Sequence, residues 1–234
     1  MNDVRSWVIS YPRSGNHLIR YLIEFMTNQV TLGRQGNESV DTPIADRPGV
    51  KLLYDISRNP IARKAHFVSE VNIKDADRII LGLRNPIDAM ISHHAQIGNH
   101  PKEIEKEAKM FVKNLSMYEG FEGKKAIIKY EDLVSDSAYE KPVSLIANVF
   151  DINEETLERT LTNYCDLRRD SLGGPLRPPH SVDRTGKIRL SRSQLLKSRN
   201  PASYEKIVDV LKEVLEHDIV KLYYGSIVNG GSGE

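Results

Sequence analysis

Arg13, Ser14 and Gly15 lie in the stretch best suited to chemistry, Ser10-Tyr11-Pro12-Arg13-Ser14-Gly15-Asn16-His17. An apolar run, Trp7-Val8-Ile9, precedes it. Leu18, Ile19, Leu22, Ile23 and Met26 follow at helical spacing. The pattern predicts a strand, a tight loop and a helix. A helix N-terminus offers unpaired backbone N–H groups and the positive end of a dipole. Such a loop can hold an oxyanion, above all a phosphate, and Arg13 adds a cation. The same spacing also fits an ordinary strand-to-helix turn.

The loop departs from the Walker A pattern G-x-x-x-x-G-K-[ST], which supplies a lysine for the terminal phosphates and a hydroxyl for magnesium. Here the loop is shorter and Arg13 precedes the glycine. A nucleotide triphosphatase also needs an acidic residue after a buried strand to hold the metal. The clearest strand, Arg78-Ile79-Ile80-Leu81-Gly82-Leu83, runs instead into Arg84-Asn85-Pro86. Both differences argue against magnesium-dependent phosphoryl transfer and favour anion binding by arginine and backbone amides. Ser92 lies about two turns into the next helix. A guanidinium at Arg84 and a hydroxyl at Ser92 can grip one phosphate; a surface arginine and a helix serine is the plainer alternative. His93 and His94 are about 100° apart on that helix and do not face a common metal. With His100 they still lack a zinc spacing; they line an acceptor pocket or face solvent. No G-x-S-x-G elbow surrounds Ser14, which argues against a hydrolase. Glu131 and Asp132 are read as holding the loop of Tyr130.

These residues need a frame. A strand is expected at Ser6–Ser10 and a helix at about Gly15–Gln29. Thr31 to Gly49 reads as a long polar loop, and Lys51–Ile56 as a short apolar run. Further strands are expected at Lys64–Val68, Arg78–Leu83 and Lys125–Tyr130. Arg78–Leu83 is apolar without alternation, as a strand covered on both faces should be. Asn85 suits an N-cap and Pro86 the first helical position, so a helix should run to about Gln96. Pro101–Tyr118 places Ile104, Ala108, Phe111, Val112 and Leu115 on one helical face. Helices are also expected at Tyr139–Val149, from the Asn153 cap to Asn163, and at Pro201–Asp218. Arg168 to Ser193 is basic, rich in Gly and Pro, and read as irregular. Strands alternating with helices predict an α/β domain with a central, mainly parallel sheet flanked by helices. Ligands then lie beyond the strand carboxyl ends, where the opening loop, Arg84 and Tyr130 all fall.

The chain has 234 residues, 39% hydrophobic and 28% charged, as expected of a globular domain. One domain, 1–228, is expected, with a glycine-rich disordered tail at 229–234. A net charge of +1 leaves no polyanion-coating surface, so no nucleic acid partner is expected. The single cysteine, Cys165, rules out an internal disulfide and any multi-cysteine metal site, and is read as a small apolar filler. No apolar run approaches the roughly 20 residues of a membrane span, and no signal-peptide pattern opens the sequence. A cytoplasmic protein without stable membrane insertion is the expectation.

The motifs together resemble the sulfotransferases that use 3′-phosphoadenylyl sulfate. Tyr11-Pro12-Arg13-Ser14-Gly15 is similar to their 5′-phosphosulfate loop in its bacterial form. Arg84-Asn85-Pro86-Ile87-Asp88 with Ser92 resembles the 3′-phosphate motif R-N-P-x-D followed by S. Lys129-Tyr130-Glu131-Asp132-Leu133 is similar to the family's Y-E-D-L segment, and Lys64-Ala65-His66 to its K-T-H. Arg184-Thr185-Gly186 resembles a remnant of the late R-K-G loop. The matches come in family order and span residues 11–186.

The resemblance implies a P-loop-like α/β domain and a set of roles. Arg13, Ser14, Gly15, Asn16 and His17 would bind the 5′-phosphate and the sulfuryl group. Arg84, Ser92 and Arg184, with Gly186, would hold the 3′-phosphate, and Tyr130 would lie near the adenosine. His66 would be the general base toward a small-molecule, lipid or carbohydrate hydroxyl, with Lys64 assisting at the transferring group. His17, near the start of the anion-facing helix, is a rival base. The T-T-W of many members is replaced by Asn16-His17-Leu18, so the adenine-stacking tryptophan is missing. Sulfuryl transfer is in-line and needs charge stabilisation at the leaving oxygen, which a guanidinium and loop amides supply without a metal. Arg13 stays charged and therefore acts electrostatically. A neutral imidazole, with a reference pKa of about 6.5, serves as base near neutral pH. Product release would leave 3′-phosphoadenosine 5′-phosphate. A P-loop-like small-molecule kinase and a non-catalytic nucleotide-binding module are the alternatives.

Overall fold

The computed structural model describes residues 4–33, 43–46, 50, 56–71, 73–97, 101–171 and 191–228. Its strands are β1 (Ser6–Ser10), β2 (Gln29–Leu32), β3 (Ser57–Ala65), β4 (Arg78–Leu83) and β5 (Lys124–Lys129). They form one sheet in the order β2-β3-β1-β4-β5, and every pairing is parallel. The expected α/β architecture is therefore present. β1 sits in the middle because it is apolar on both faces. Trp7 and Ile9 join a core with Ile79, Leu81, Phe111 and Leu115. Val8 points the other way, into a core with Ile19, Leu22, Ile23, Ile80 and Ile128.

The helices that cover these faces are α1 (Asn16–Thr27), α2 (Pro86–Ile97), α3 (Pro101–Gly120), α4 (Tyr130–Leu133), α5 (Glu140–Val149), α6 (Glu154–Thr162) and α7 (Tyr164–Asp170). After the undescribed stretch come α8 (Arg192–Arg199), α9 (Pro201–Val210), α10 (Lys212–Glu216) and α11 (Asp218–Val228). Asn153 caps α6 as expected, accepting from the Thr156 N–H at 2.9 Å. Among the described residues no helix is long and apolar enough to cross a membrane.

Several elements differ from the sequence expectation. α1 ends two residues early, at Thr27, and Asn28 takes a left-handed turn at φ 51°. The chain then enters β2, which occupies the expected end of the helix and the start of the polar loop. β3 runs over 57–65 rather than 64–68. Its proline, Pro60, lies in the irregular register between Ser57 and Ala62, clear of the Arg63–Ala65 segment that pairs with β1; a proline is tolerated there because no ladder hydrogen bond is required of it. The expected helix at 201–218 is broken in two places: Leu211 has ψ 4° and His217 an extended ψ of 135°. Arg168 is helical and buried, and Arg192 opens α8, so both ends of the stretch expected to be irregular are helical; residues 172–190 lie outside the described residues. Cys165 is exposed rather than an apolar filler. Most of the Thr31–Gly49 loop, residues 51–55 and the tail at 229–234 lie outside the described residues.

Candidate active site

The loop after β1 turns on two left-handed residues. The Ser14 N–H donates to the Tyr11 carbonyl at 3.2 Å, with Pro12 and Arg13 between them. A type II turn needs a positive φ at its third position, usually glycine or asparagine. Arg13 takes that position at φ 69°. A non-glycine residue there stores strain and persists only where its surroundings hold it. Arg84 holds it: its Nη1 donates to the Arg13 carbonyl at 2.9 Å. Gly15, at φ 84°, then opens α1. A Cβ on Gly15 would lie 2.9 Å from Cδ2 of Tyr130, and a Cβ on Gly82 would lie 3.1 Å from the Ser14 carbonyl. The two glycines let the loop rest against β4 and the Tyr130 ring.

Arg84 and Tyr130 meet because of sheet register. Leu83 is paired with Lys129, so the next residues on β4 and β5 come out level. The Arg84 guanidinium lies over the Tyr130 ring, 4.7 Å from its centroid. Burial pushes the Tyr130 phenol above its usual range, against the opposing pull of Arg84. Glu131 secures the same corner: it accepts from the Asn85 N–H at 3.0 Å and from the Tyr224 hydroxyl at 2.6 Å. Asn85 caps α2 by accepting from the N–H groups of Ile87 and Asp88, at 3.0 and 3.3 Å. Ser92 is buried on α2. Among the described residues, no hydrogen bond ties it to Arg84 or Arg13.

His66 follows β3, whose last residue, Ala65, pairs with Ile9. Its Nδ1 donates to the Ser10 carbonyl at 2.9 Å. In the neutral ring that bond keeps the proton on Nδ1 and makes Nε2 the basic nitrogen. Lys64 lies two residues back, half-buried and level with Val8. The Asn16 Nδ2 donates to the Val8 carbonyl and to Ser10 Oγ, both at 3.1 Å, so its amide braces β1. The buried Ser14 Oγ and Asn16 Oδ1 have no hydrogen-bond partner among the described residues. His17 is engaged elsewhere: its Nε2 donates to the Ser171 carbonyl at 2.6 Å. That nitrogen is the protonated one and does not accept a proton there.

Tyr11 supports the loop from beneath. Its hydroxyl donates to Glu107 on α3 and lies 2.9 Å from Met90 Sδ. Burial and Glu107 drive its pKa far up. His94 Nε2 lies 3.1 Å and His93 Nε2 3.5 Å from the same carboxylate. The two histidines, expected to line a pocket or face solvent, thus converge on Glu107, with the edge of His93 against Tyr11. Burial lowers the His93 pKa more than Glu107 raises it. Arg168 is held by the Val134 carbonyl and Asp136, at 2.7 and 2.9 Å, and Arg169 pairs with Asp166. Among the described residues no cluster of three or more His, Cys, Asp and Glu is arranged to hold a metal.

The structure therefore brings together Arg13, Ser14, Gly15, Arg84, Tyr130 and His66 at neighbouring strand ends. Arg184 and Gly186 lie outside the described residues. The residues flanking their stretch are tied nearby: Ser171 to His17, and the Ser193 N–H to Asp88 at 2.6 Å. Two supporting residues were missed: Glu107, and Asn114, whose Nδ2 donates to the His66 carbonyl at 2.8 Å. Both are polar positions within the buried stripe of α3, beside Ile104, Ala108, Phe111 and Leu115, and that interruption of the apolar pattern was the available signal.

No family model and no curated protein matches the chain. Among solved structures it is similar to retinol dehydratase in a complex with retinol and PAP. The TM-score is 0.52 and the identity 12%, over 90% of this chain and 81% of that one. At that identity the likeness establishes a shared α/β fold.

Proposed function

We propose that residues 1–228 form one sulfotransferase domain, which moves a sulfuryl group from 3′-phosphoadenylyl sulfate to an acceptor hydroxyl. The observation that carries this reading is the convergence of the Arg13 loop, the Arg84–Tyr130 stack and His66 at adjacent strand ends. The donor's chemistry fits these groups. The buried Ser14 hydroxyl, without a hydrogen-bond partner among the described residues, and the Arg13 cation suit a 5′-phosphate. Arg84 over Tyr130 suits a 3′-phosphate beside an adenosine, with Ser92, Arg184 and Gly186 completing that subsite. The similar fold that holds PAP and retinol, an alcohol, supports a donor of this class and a small-molecule, lipid or carbohydrate hydroxyl as acceptor.

Bound there, the donor supplies a sulfuryl group on a phosphate leaving group. His66 accepts the hydroxyl proton at Nε2 while the Ser10 carbonyl holds Nδ1–H. Arg13 and the loop amides stabilise charge growing on the leaving oxygen. Arg13 does so without giving up its proton, and Lys64 assists at the transferring group. The test is titration with 3′-phosphoadenosine 5′-phosphate and with ATP, each with and without magnesium, followed by turnover of labelled donor on an acceptor panel. Tight metal-independent binding of the bisphosphate with turnover supports the reading. Preference for Mg-ATP replaces it with a kinase. Bisphosphate binding without transfer to any acceptor replaces it with a nucleotide-binding module.

A further inference from the structure

His66 and Phe67 join β3 to a single 3-10 turn at Val68–Glu70. Backbone groups in such a connection need partners from side chains or water. Asn114, on α3, supplies them. Its Nδ2 donates to the His66 carbonyl at 2.8 Å, and its Oδ1 accepts from the Val68 N–H at 2.8 Å. Both halves of the amide are used, and the residue is 2% exposed. The imidazole at the other end of the residue is fixed by the Ser10 carbonyl. His66 is thus gripped at its backbone by α3 and at its ring by β1.

We propose that Asn114 is a positioning residue for His66, setting the place of the imidazole and hence the tautomer that leaves Nε2 basic. The proposal rests on the reading of His66 as the base. Only an amide satisfies both contacts: a carboxylate there would set an oxygen against the His66 carbonyl, and an apolar residue would leave both backbone groups unpaired. A shift of the His66 backbone moves the ring away from the Ser10 carbonyl and frees it to exchange its proton between nitrogens.

The experiment compares wild type, Asn114→Ala and Asn114→Asp in the full chain. Asn114→Asp keeps the volume and the acceptor for the Val68 N–H, and it carries the test where Asn114→Ala is too unstable to purify. Long-range proton–nitrogen correlation spectra read the His66 tautomer directly. Wild type should show the Nδ1–H form, and each variant a mixture. An unchanged His66 tautomer in folded Asn114→Asp overturns the proposal. In turnover, Asn114→Asp should lower kcat by about 10²-fold, as a misplaced catalytic group does, with the Kd for 3′-phosphoadenosine 5′-phosphate within about twofold of wild type. On a His66→Ala background the same substitution should cause no further loss. A second loss of similar size there marks a general structural role and also overturns the proposal. If the wild type transfers sulfuryl to no acceptor, the sulfotransferase reading falls, while the tautomer comparison still decides the role of Asn114.

Discussion

Gly15→Ala tests the geometry of the loop most directly. Gly15 has φ 84°, and an added Cβ would lie 2.9 Å from Tyr130 Cδ2. An L-residue in the left-handed region costs about 1–2 kcal/mol. Turning the Tyr130 ring aside costs a further ~0.5–1.5 kcal/mol. Loss of chain entropy in the unfolded state returns about 0.4–1 kcal/mol. The net destabilisation is about 0.5–3 kcal/mol. Urea unfolding of wild type, Gly15→Ala, Tyr130→Leu and the double variant separates the parts. The steric share, about 0.5–1.5 kcal/mol, should vanish on the Tyr130→Leu background, while the backbone share remains. Bisphosphate affinity, measured by calorimetry on the same four proteins, should fall wherever alanine occupies position 15. Wild-type stability in Gly15→Ala, or strict additivity with Tyr130→Leu, would refute a left-handed loop packed against that ring.

Three further outcomes are expected. His66→Ala should lower turnover by about 10²–10⁴-fold and leave bisphosphate affinity unchanged; full activity removes His66 from its role. Arg84→Lys forfeits the planar fork and the stacking on Tyr130, so affinity for 3′-phosphoadenosine 5′-phosphate should fall by about 10–100-fold, while adenosine 5′-phosphate, which lacks the 3′ group, should be little affected. Equal losses for both nucleotides would move Arg84 away from the 3′-phosphate. His93 is held below its ordinary pKa chiefly by burial, so the unfolded chain takes up a proton that the folded chain refuses. Its contribution to stability is present in full above the unfolded value of about 6.5 and is lost as pH falls toward the folded value. Melting temperatures of His93→Gln should therefore fall less than wild type between about pH 7.5 and 5.5; identical slopes would refute the assignment.

Much of the frame was legible where side chains decide their own environment. Trp7-Val8-Ile9 and Ile79-Ile80-Leu81 are apolar on both faces, which only a covered sheet accommodates. Asn85 and Asn153 announce caps by type and position, and both make them. β2 and most of β3 were not legible because their stability comes from partners. Arg58, Asn59, Pro60 and Arg63 have no strand-like composition, and Gln29 to Leu32 follow a helix without a glycine or proline to mark the change. The breaks at Leu211 and His217 likewise have no local signal. At the site, Arg84 and Tyr130 were paired by their place after two strands, and register delivered the contact. The support from Glu107 and Asn114 depends on how α3 lies against the sheet, which no spacing within one helix specifies. His93 and His94, judged by their angle on α2, share a partner because Glu107 comes from outside that helix.

The place of β1 has a consequence for how the protein is made. It is the innermost strand, yet it leaves the ribosome before either neighbour. One flank waits for Arg63–Ala65 and the other for Arg78–Gly82. Parallel pairing allows no hairpin to shelter it in the meantime. At about 5–20 residues per second, its second partner is on the order of 10 s away during synthesis. Until Arg63–Ala65 emerge, Trp7, Val8 and Ile9 form an apolar segment with both edges open, and until Arg78–Gly82 emerge one edge stays open, a natural client for a holding chaperone. A nascent chain stalled before β4 would present the same strand with one edge unpaired, ready to join another copy.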